Sequence, residues 1–166
     1  MINLTGKTAV VFGGNGDVGN NLIKKLFLHK IDSVHTSFHT NFNNILELKK
    51  NYGDKLSFHQ VDVRDNVAVE NFVENIQQID IGINCVGIVE DRSVSKLQLE
   101  SWNNVIAINL TGTFNISKSL FKKMKSMKQG RIINISSIVG IKGAFGQSNY
   151  AASKSGILGL TKTLAI

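Results

Sequence analysis

The chain lacks several residue types, and each shortage excludes a class of protein or site. It contains no proline and a single cysteine among its 166 residues. One cysteine cannot form a disulfide framework, and the apolar run around Cys85 indicates a small buried hydrophobe in preference to a nucleophile or a metal ligand. The four histidines form neither an HExxH nor a Cys/His pattern, so the sequence predicts no metal site.

Long hydrophobic runs are also missing. No apolar stretch approaches the length that a bilayer-spanning helix requires, and no charged leader precedes an apolar block at the N-terminus. We therefore expect a cytoplasmic protein that does not contact a membrane. With 42% hydrophobic and 19% charged residues, residues 1–166 can bury one ordinary core, which predicts a single domain.

The chain carries an excess of positive charge, with a formal net charge of +7. Its basic residues are scattered and are not interleaved with aromatic ones, so nucleic-acid binding is not predicted. One dense basic cluster has two interpretations: a solvated helix end that the helix dipole favours, or a surface that attracts an acidic substrate or carrier. The cluster consists of Lys122, Lys123, Lys125, Lys128 and Arg131.

Apolar strand patterns alternate with helical patterns along the chain. Strands are predicted at KTAVVFG, SVHTSF, KLSFHQV, IDIGINCV and RIINIS. Helices are predicted at 18–28, 43–51, 66–76, about 101–128, and from Ser148 or Asn149 to Ile166. Asp65 is the predicted cap of the third helix, and SIVGIKGAFGQ is predicted to be a loop. This alternation favours an α/β fold with a parallel sheet covered on both faces.

A glycine-rich turn separates the first strand from the first helix. Gly14, Gly16 and Gly19 fit GxGxxG, and Gly13, Gly16 and Gly19 fit GxxGxxG. At such a turn the backbone can approach a pyrophosphate, and the free N–H groups of the helix point at it. Between a strand and a helix, this pattern favours dinucleotide binding over a plain tight turn.

The end of the second strand bears on the choice of dinucleotide. An acidic residue that reads the ribose is expected there, but the positions hold Ser37, Phe38 and His39, and Asp32 precedes the strand. The missing carboxylate favours NADP(H) over NAD(H). No arginine lies in this part of the sequence to hold the 2′-phosphate.

Three side chains can converge on one reacting atom. Tyr150 and Lys154 are four residues apart on one face of the last predicted helix, and Ser137 follows the fifth strand. An ammonium near a phenol favours the phenolate, and a strand-end serine can hold a carbonyl oxygen beside it. A lone YxxxK pair is more often an exposed helix pair. Asn109, on the apolar stripe of the long helix, is either a satisfied core amide or part of this site.

These motifs occur in the order of a known family. The glycine turn, NCVG at 84–87, INLTG at 108–112, the NISS segment ending at Ser137, and YAASK make the whole chain closely resemble the short-chain dehydrogenases/reductases. The resemblance implies a Rossmann-like, doubly wound parallel sheet with strand order 3-2-1-4-5 and a nicotinamide cofactor. It also implies a homodimer or homotetramer in which the long helix and the YxxxK helix pack against a second copy.

The resemblance assigns a role to each matching residue. It implies Tyr150 as the general acid in ketone reduction and the base in the reverse reaction, and Ser137 as the holder of the substrate oxygen. Lys154 is implied to activate the phenol and to bond the nicotinamide ribose, and Asn109 to fix a water in the proton relay. The implied cofactor-binding residues are Gly13, Asn15, Gly16, Asp17, Val18, Gly19, Ser37, Asp62, Val63, Asn84, Cys85, Val86, Gly87, Tyr150 and Lys154.

Two of those cofactor residues have plainer interpretations as well. Asp62 matches the position that contacts the adenine, but it could be only a turn residue. Asn84 matches the position that steadies the central sheet, but it could be only a strand-end hydrogen bonder.

The chain departs from the family in two respects. In the family turn TGxxxGxG, Phe12 replaces the threonine and Asp17 the middle glycine, and an acid near a pyrophosphate repels it. Gly16, however, restores the GxxGxxG spacing of other members, and Asp17 could instead cap the helix. The family also leads us to expect two further strands and a Pro-Gly segment beyond Ile166. We therefore expect a truncated sheet, an exposed edge at RIINIS and little turnover by residues 1–166 alone.

One segment of the sequence narrows the choice of substrate class. GIVEDRSVSKLQLESWNNVIAINLTGTF resembles 3-oxoacyl-carrier-protein reductases of fatty acid biosynthesis and acetoacetyl-coenzyme A reductases, with Asp91 and Trp102 at matching positions. Lys128, just before Gly130 and Arg131, matches a basic position that docks the acidic acyl carrier protein. The resemblance implies a 3-oxoacyl thioester, although the family also acts on sugar alcohols and steroids. The alternative is a non-catalytic dinucleotide-binding module.

Overall fold

The computed structural model describes residues 2–40 and 43–166 and is built on one parallel sheet. Five strands lie in the order β3-β2-β1-β4-β5, and all of their pairings are parallel. The strands are β1 Thr8–Phe12, β2 Ser33–Phe38, β3 Leu56–Gln60, β4 Ile81–Asn84 and β5 Arg131–Asn134. The predicted α/β fold and its strand order are confirmed.

Helices connect the strands and cover both faces of the sheet. They are α1 Asp17–Leu28, α2 Asn43–Tyr52, α3 Asn66–Glu74, α4 Leu99–Ile106, α5 Gly112–Met127, α6 Val139–Lys142 and α7 Ser148–Leu164. Short 3₁₀ turns lie at Gly53–Lys55 and Val94–Lys96. In the described part of the chain, no helix has both the length and the apolar character needed to cross a membrane.

Alternate residues of β1 fill two cores. Ala9 and Val11 point to one face of the sheet, and Val10 and Phe12 point to the other. The first core adds Ile23, Leu26, Val34 and Leu48, and the second adds Val69, Phe72, Ile116 and Leu120. Because β1 is buried on both faces, its sequence is a continuous apolar run, as is typical of a central strand in a parallel sheet.

Two predicted helix starts agree with the structure. Asp65 caps α3, since its Oδ1 accepts hydrogen bonds from the backbone N–H groups of Val67 at 2.9 Å and Ala68 at 3.1 Å. Helix α7 begins at Ser148, one of the two predicted positions, and ends at Leu164, slightly before the predicted end.

The segment between β5 and α7 was predicted to be a loop, but it contains the short helix α6. Its four residues are too few to display a helical period. Gly143, with φ +71, then ends this helix in a conformation that glycine adopts without strain. β4 and β5 are also shorter than their apolar runs, because strand pairing stops at Asn84 and Asn134.

The predicted long helix is not a uniform α-helix. It begins at Leu99 and ends at Met127, and a π-helical turn at Ala107–Thr111 separates α4 from α5. A π turn holds more residues than an α turn, so it rotates the apolar stripe. Asn109 in this turn is fully buried. Regular spacings of three and four predicted an uninterrupted helix and therefore missed the turn.

β5 forms one edge of the sheet. Within residues 2–40 and 43–166, β4 is its only strand partner. The side chain of Ile133 in β5 is 45% exposed. The described chain therefore has the exposed apolar edge that the sequence predicts.

A polar cluster lies across β2 and β3. Ser57 Oγ is 2.7 Å from His35 Nδ1 and 3.1 Å from His59 Nε2. Burial, and secondarily the neighbouring His59, lowers the pKa of His35, and burial also lowers the pKa of His59. Protonation of either ring is therefore less favourable in the folded chain than in the unfolded chain.

We predict that the free energy of unfolding falls as the pH decreases from about 7 to about 5. Both folded-state pKa values lie below the ordinary value of 6.5, so the unfolded chain binds more protons in this range. The variant His35→Gln/His59→Gln should show a shallower decline in melting temperature over this pH range, measured by circular dichroism. His29→Gln, outside the cluster, is the control. Equal pH slopes for the double variant and the unmodified chain would contradict the prediction.

Candidate active site

The glycine turn packs closely against β2 and α1. Gly13 has φ +80, and the N–H groups of Gly13 and Gly14 each donate to the carbonyl of Ser37 at 3.2 Å. A Cβ on Gly14 would lie 2.0 Å from Thr36 Oγ1. A Cβ on Gly19 would lie 2.3 Å from the carbonyl oxygen of Gly13. The positive φ of Gly13, the side chain of Thr36 next to Gly14 and the backbone next to Gly19 each leave room only for glycine.

The turn leads directly into the N-terminus of α1. Gly16 is the N-cap, and no described side chain bonds to the cap, so the first-turn N–H groups keep the arrangement that suits a phosphate. Asp17 is the first helical residue and not the cap, so the capping role considered for it is wrong. The dipole of α1 stabilises the carboxylate of Asp17 at this N-terminus. The same carboxylate would repel an anionic ligand bound there.

The carboxyl ends of β1, β2, β3 and β4 surround a cleft of about 250 Å³. The predicted cofactor-binding residues that line it are Gly13, Asn15, Gly16, Ser37, Asp62, Val63, Cys85, Val86 and Gly87. The predicted residues outside its lining are Asp17, Val18, Gly19, Asn84, Tyr150 and Lys154. The fold therefore gathers much of the predicted cofactor set into one cavity.

The cleft also has lining residues that sequence reasoning missed as binding candidates. They are Phe38, His39, Thr40, Val61, Arg64, Ile88 and Ile108. Most directly follow a strand or a predicted site residue. In a parallel sheet, strand ends meet at one edge, and this rule was the available signal for them.

Opposite charges meet at the β3 end of the cleft. Arg64 donates from Nε and Nη2 to the carboxylate of Asp62, and the Nη2 contact is 2.6 Å. His39 Nε2 lies 3.6 Å from the same carboxylate. The hydrogen bond from Arg64 holds the pKa of Asp62 at about 2. The sequence shows no arginine near the end of β2, but the fold brings Arg64 to that place from the end of β3.

The β4 end of the cleft is closely packed. Burial raises the pKa of the Cys85 thiol to about 11, and the charge of Lys154 opposes only part of this shift. The thiol is therefore protonated at neutral pH, which does not suit a nucleophile. Asn84 Nδ2 donates to Thr113 Oγ1 at 2.8 Å, and its Oδ1 accepts from the N–H of Val86 at 3.0 Å. These bonds fix the end of β4 against α5.

Asn109 connects the cleft wall to α7. Its Oδ1 accepts from the N–H of Ile88 at 2.8 Å, and its Nδ2 donates to the carbonyl of Ile88 at 2.9 Å. The same Nδ2 lies 3.2 Å from Ser153 Oγ. Asn109 is therefore a hydrogen-bonded buried amide, and its partners also place it between β4 and α7.

The side chain of Lys154, on α7, is buried and reaches the chain segment that follows β5. Its Nζ donates to the carbonyl of Ile135 at 2.9 Å and lies 5.7 Å from the centroid of the Tyr150 ring. Burial lowers the pKa of Lys154. A Cβ on Gly87 would lie 3.3 Å from Nζ, so the ammonium also touches the wall of the cleft. The structure thus places one amine beside both the tyrosine ring and the cleft.

The serine pair after β5 is held at two points. Ser137 Oγ accepts from the N–H of Val139 at 3.2 Å, at the start of α6. Ser136 Oγ donates to the carbonyl of Lys154 at 2.8 Å. These bonds set the end of β5 against α6 and α7, next to the buried lysine.

A parallel sheet of this order, with a glycine turn between β1 and the N-terminus of α1, is typical of the α/β folds that bind dinucleotides. The profile of a family described as short chain dehydrogenase matches residues 7–166. The chain belongs to the short-chain dehydrogenase family.

Curated relatives agree with this membership. The chain is 36% identical over 165 residues to a 3-oxoacyl-[acyl-carrier-protein] reductase of Rickettsia conorii. The alignment covers 99% of this chain and 68% of the relative. It is 36% identical over 169 residues to the reductase of the same name from Chlamydia trachomatis. That alignment covers 98% of this chain and 68% of the relative. An acetoacetyl-CoA reductase of Acinetobacter is 33% identical over 170 residues, with 96% and 67% covered.

We predict opposite tolerances for two glycines of the turn. Gly19→Ala should lower the free energy of unfolding by about 1–3 kcal/mol, because its Cβ meets backbone atoms that cannot move aside. Gly16→Ala should cost at most about 1 kcal/mol, because its Cβ would meet only the carbonyl of Gly13, at 3.5 Å. Urea denaturation of the two variants measures the difference. Equal losses would show that close approach at Gly19 is not the constraint.

Proposed function

We propose that this chain is a carbonyl reductase and alcohol dehydrogenase of the short-chain type that reduces 3-oxoacyl thioesters to 3-hydroxyacyl thioesters. The observation that carries the proposal is the buried ammonium of Lys154, 5.7 Å from the centroid of the Tyr150 ring. A positive charge at this distance stabilises the negative charge that a phenol develops as it gives up its proton. Tyr150 is then suited to be the general acid in reduction and the base in the reverse reaction.

The cleft beside this pair fits a nicotinamide dinucleotide. The absence of a side chain on Gly16 leaves open space before the N-terminus of α1, where backbone N–H groups can hold a pyrophosphate. Asp62 and Val63 would hold the adenine, and Lys154 would bond the nicotinamide ribose. When bound, the reduced cofactor would supply a hydride, one proton with two electrons, to the carbonyl carbon.

The chain's own residues position the substrate and move the proton. The substrate oxygen takes its proton from Tyr150, while Ser137 Oγ donates a hydrogen bond to that oxygen. Ser137 Oγ accepts from Val139 N–H, so its own hydrogen is available to the substrate. Asn109 Oδ1 has a second lone pair beyond the one that Ile88 uses. We assign that lone pair to a relay water that restores the proton to Tyr150.

Within the proposal, NADP(H) is favoured over NAD(H). The end of β2 carries Ser37 and His39 in place of a carboxylate. Asp62 is the only acidic residue among the described residues that line the cleft, and its charge is paired with Arg64. A 2′-phosphate would therefore meet little repulsion at this end of the cleft.

The basic cluster of the sequence divides into two parts. Lys122 bonds Glu70 at 3.1 Å and Glu74 at 3.2 Å, so its charge is used between α5 and α3. In contrast, Lys125, Lys128 and Arg131 line one groove together with the apolar side chains of Phe121 and Leu164. A basic groove with apolar contacts suits the acidic surface of a carrier protein. The names of the relatives support a carrier-bound or coenzyme A-bound acyl substrate.

The groove extends along β5 as far as Asn134, but its basic residues Lys128 and Arg131 lie at the amino end of that strand, away from Tyr150. β5 begins at Arg131, and Ser137 lies six residues further along the chain, a span of up to roughly 20 Å at about 3.3 Å per residue. We therefore propose that docking at Lys128 and Arg131 operates in a homodimer or homotetramer, where a second copy brings its own site near the groove. Phe114, 49% exposed on α5, offers apolar surface for this assembly.

Removal of the Tyr150 hydroxyl is the direct test. Tyr150→Phe should lower kcat for an acetoacetyl thioester by about 10²–10⁴-fold, while the Kd of NADPH stays unchanged. Tyr52→Phe is the matched control, because Tyr52 stacks on Phe27 at 4.0 Å and lies outside the site. Turnover is measured as NADPH oxidation, and the Kd by calorimetry.

Two outcomes of this test would oppose the catalytic proposal. Equal rates for Tyr150→Phe and the unmodified chain would remove Tyr150 from the mechanism. Because little turnover is expected of residues 1–166 alone, NADPH binding without turnover would support a non-catalytic dinucleotide-binding module only when a longer chain that includes these residues is also inactive.

Charge reversal in the groove tests the carrier assignment. Lys128→Glu/Arg131→Glu should raise KM for a carrier-bound 3-oxoacyl substrate by about tenfold, because complementary charge is replaced by repulsion. KM for an uncharged N-acetylcysteamine thioester should not change. Lys24→Glu/Lys55→Glu, on other exposed surfaces, is the control of equal net charge. An equal rise for both substrates would contradict carrier docking at this groove.

A further inference from the structure

The ends of β2 and β3 stay joined beyond the last strand pair. Val61 N–H donates to the carbonyl of Phe38 at 2.9 Å, and Gln60 Nε2 donates to the carbonyl of His39 at 3.0 Å. Four residues that follow these strands line the same end of the cleft. They are His39 and Thr40 after β2, and Asp62 and Arg64 after β3. A ligand that enters this end therefore meets both segments at once.

The guanidinium of Arg64 has unused donors at this end. Its Nε and Nη2 donate to the carboxylate of Asp62, which uses two of its five N–H groups. The remaining donors, on Nη1 and Nη2, can bond a second anion while the pair with Asp62 persists. Arg64 is 45% exposed, so its outer edge is accessible to a ligand.

The backbone that carries Arg64 is fixed by the long helix. Asn115, buried on α5, donates from Nδ2 to the carbonyl of Val63 at 3.0 Å and to that of Arg64 at 3.4 Å. A Cβ on Gly112 would lie 2.6 Å from Val63 Cγ2, so the loop also packs directly against the helix. The arginine thus projects from a held loop, which reduces the cost of ordering it around a ligand.

We propose that Arg64 recognises the 2′-phosphate of the cofactor by bridging it to the carboxylate of Asp62. This inference rests on the proposed function, because it concerns the adenosine end of the same cleft. His39, with its Nε2 3.6 Å from Asp62, and the hydroxyl of Thr40 complete the phosphate site. An arginine from the end of β3 thereby supplies the cation that the end of β2 lacks.

A purely stabilising surface ion pair is the rival explanation of this contact. Exposed ion pairs contribute little to stability, and a stabilising pair would not distinguish two cofactors that differ only in a 2′-phosphate. The two explanations therefore differ in cofactor discrimination and not in the contact itself.

The experiment measures binding of NADPH and NADH to the unmodified chain and to Arg64→Gln by calorimetry. We expect Arg64→Gln to weaken NADPH binding by about 10- to 100-fold, the loss typical of a hydrogen-bonded ionic contact, and to weaken NADH binding far less, because NADH lacks the 2′-phosphate. Arg64→Lys should retain part of the preference, because it keeps the charge without the forked geometry. Adenosine 2′,5′-bisphosphate and adenosine 5′-monophosphate should show the same difference, since they isolate the adenosine end.

Lys55→Gln is the matched control, because it removes one exposed charge before β3 at the opposite end of the sheet. Its Kd values should equal those of the unmodified chain, and the melting temperatures of all variants should agree within about 2 °C. Equal losses for NADPH and NADH in Arg64→Gln, or no loss for either, would overturn the inference and leave the proposed function intact. Failure of the unmodified chain to bind either cofactor would overturn the proposed function itself.

Discussion

A buried lysine at the junction of β5 and α7 holds the candidate site together. The ammonium of Lys154 donates to the carbonyl of Ile135, and the carbonyl of Lys154 accepts from Ser136, so two hydrogen bonds of opposite direction join the helix to the strand end. Taking an ammonium out of water is unfavourable unless it gains partners. A neutral side chain would fill this space at lower cost, so the burial of an ammonium here is consistent with the role beside Tyr150 that we propose for Lys154.

The site is built from two parts that meet at the wall of the cleft. The ends of β1 to β4 form the cleft, while β5, α6 and α7 carry the serine, tyrosine and lysine. Asn109 and Gly87 lie where the parts meet, since the first bonds both Ile88 and Ser153 and the second touches Lys154. The π turn matters for this reason: it directs an amide from a helix interior onto both parts.

The sequence predicted most features that depend on neighbouring residues or on ordered motifs. Strand and helix positions, the cap at Asp65 and the glycine turn all come from local patterns, and the strand order follows from the family resemblance. The exceptions have physical causes. The four residues of α6 are shorter than any detectable period, and the π turn changes a helix without changing its apolar residues. The approach of Arg64 to the end of β2 depends on parallel register between strands, which local patterns do not contain.

The free side of β5 has a consequence for behaviour in concentrated solution. A strand with a row of backbone donors and acceptors open to solvent, and with Ile133 half exposed among them, is a template for any extended peptide. Lysine residues near an edge discourage such pairing by repulsion, and Lys125 and Lys128 lie beside its first residue, Arg131. Added salt screens that repulsion, so we expect edge-to-edge association of the described chain to increase as the ionic strength rises.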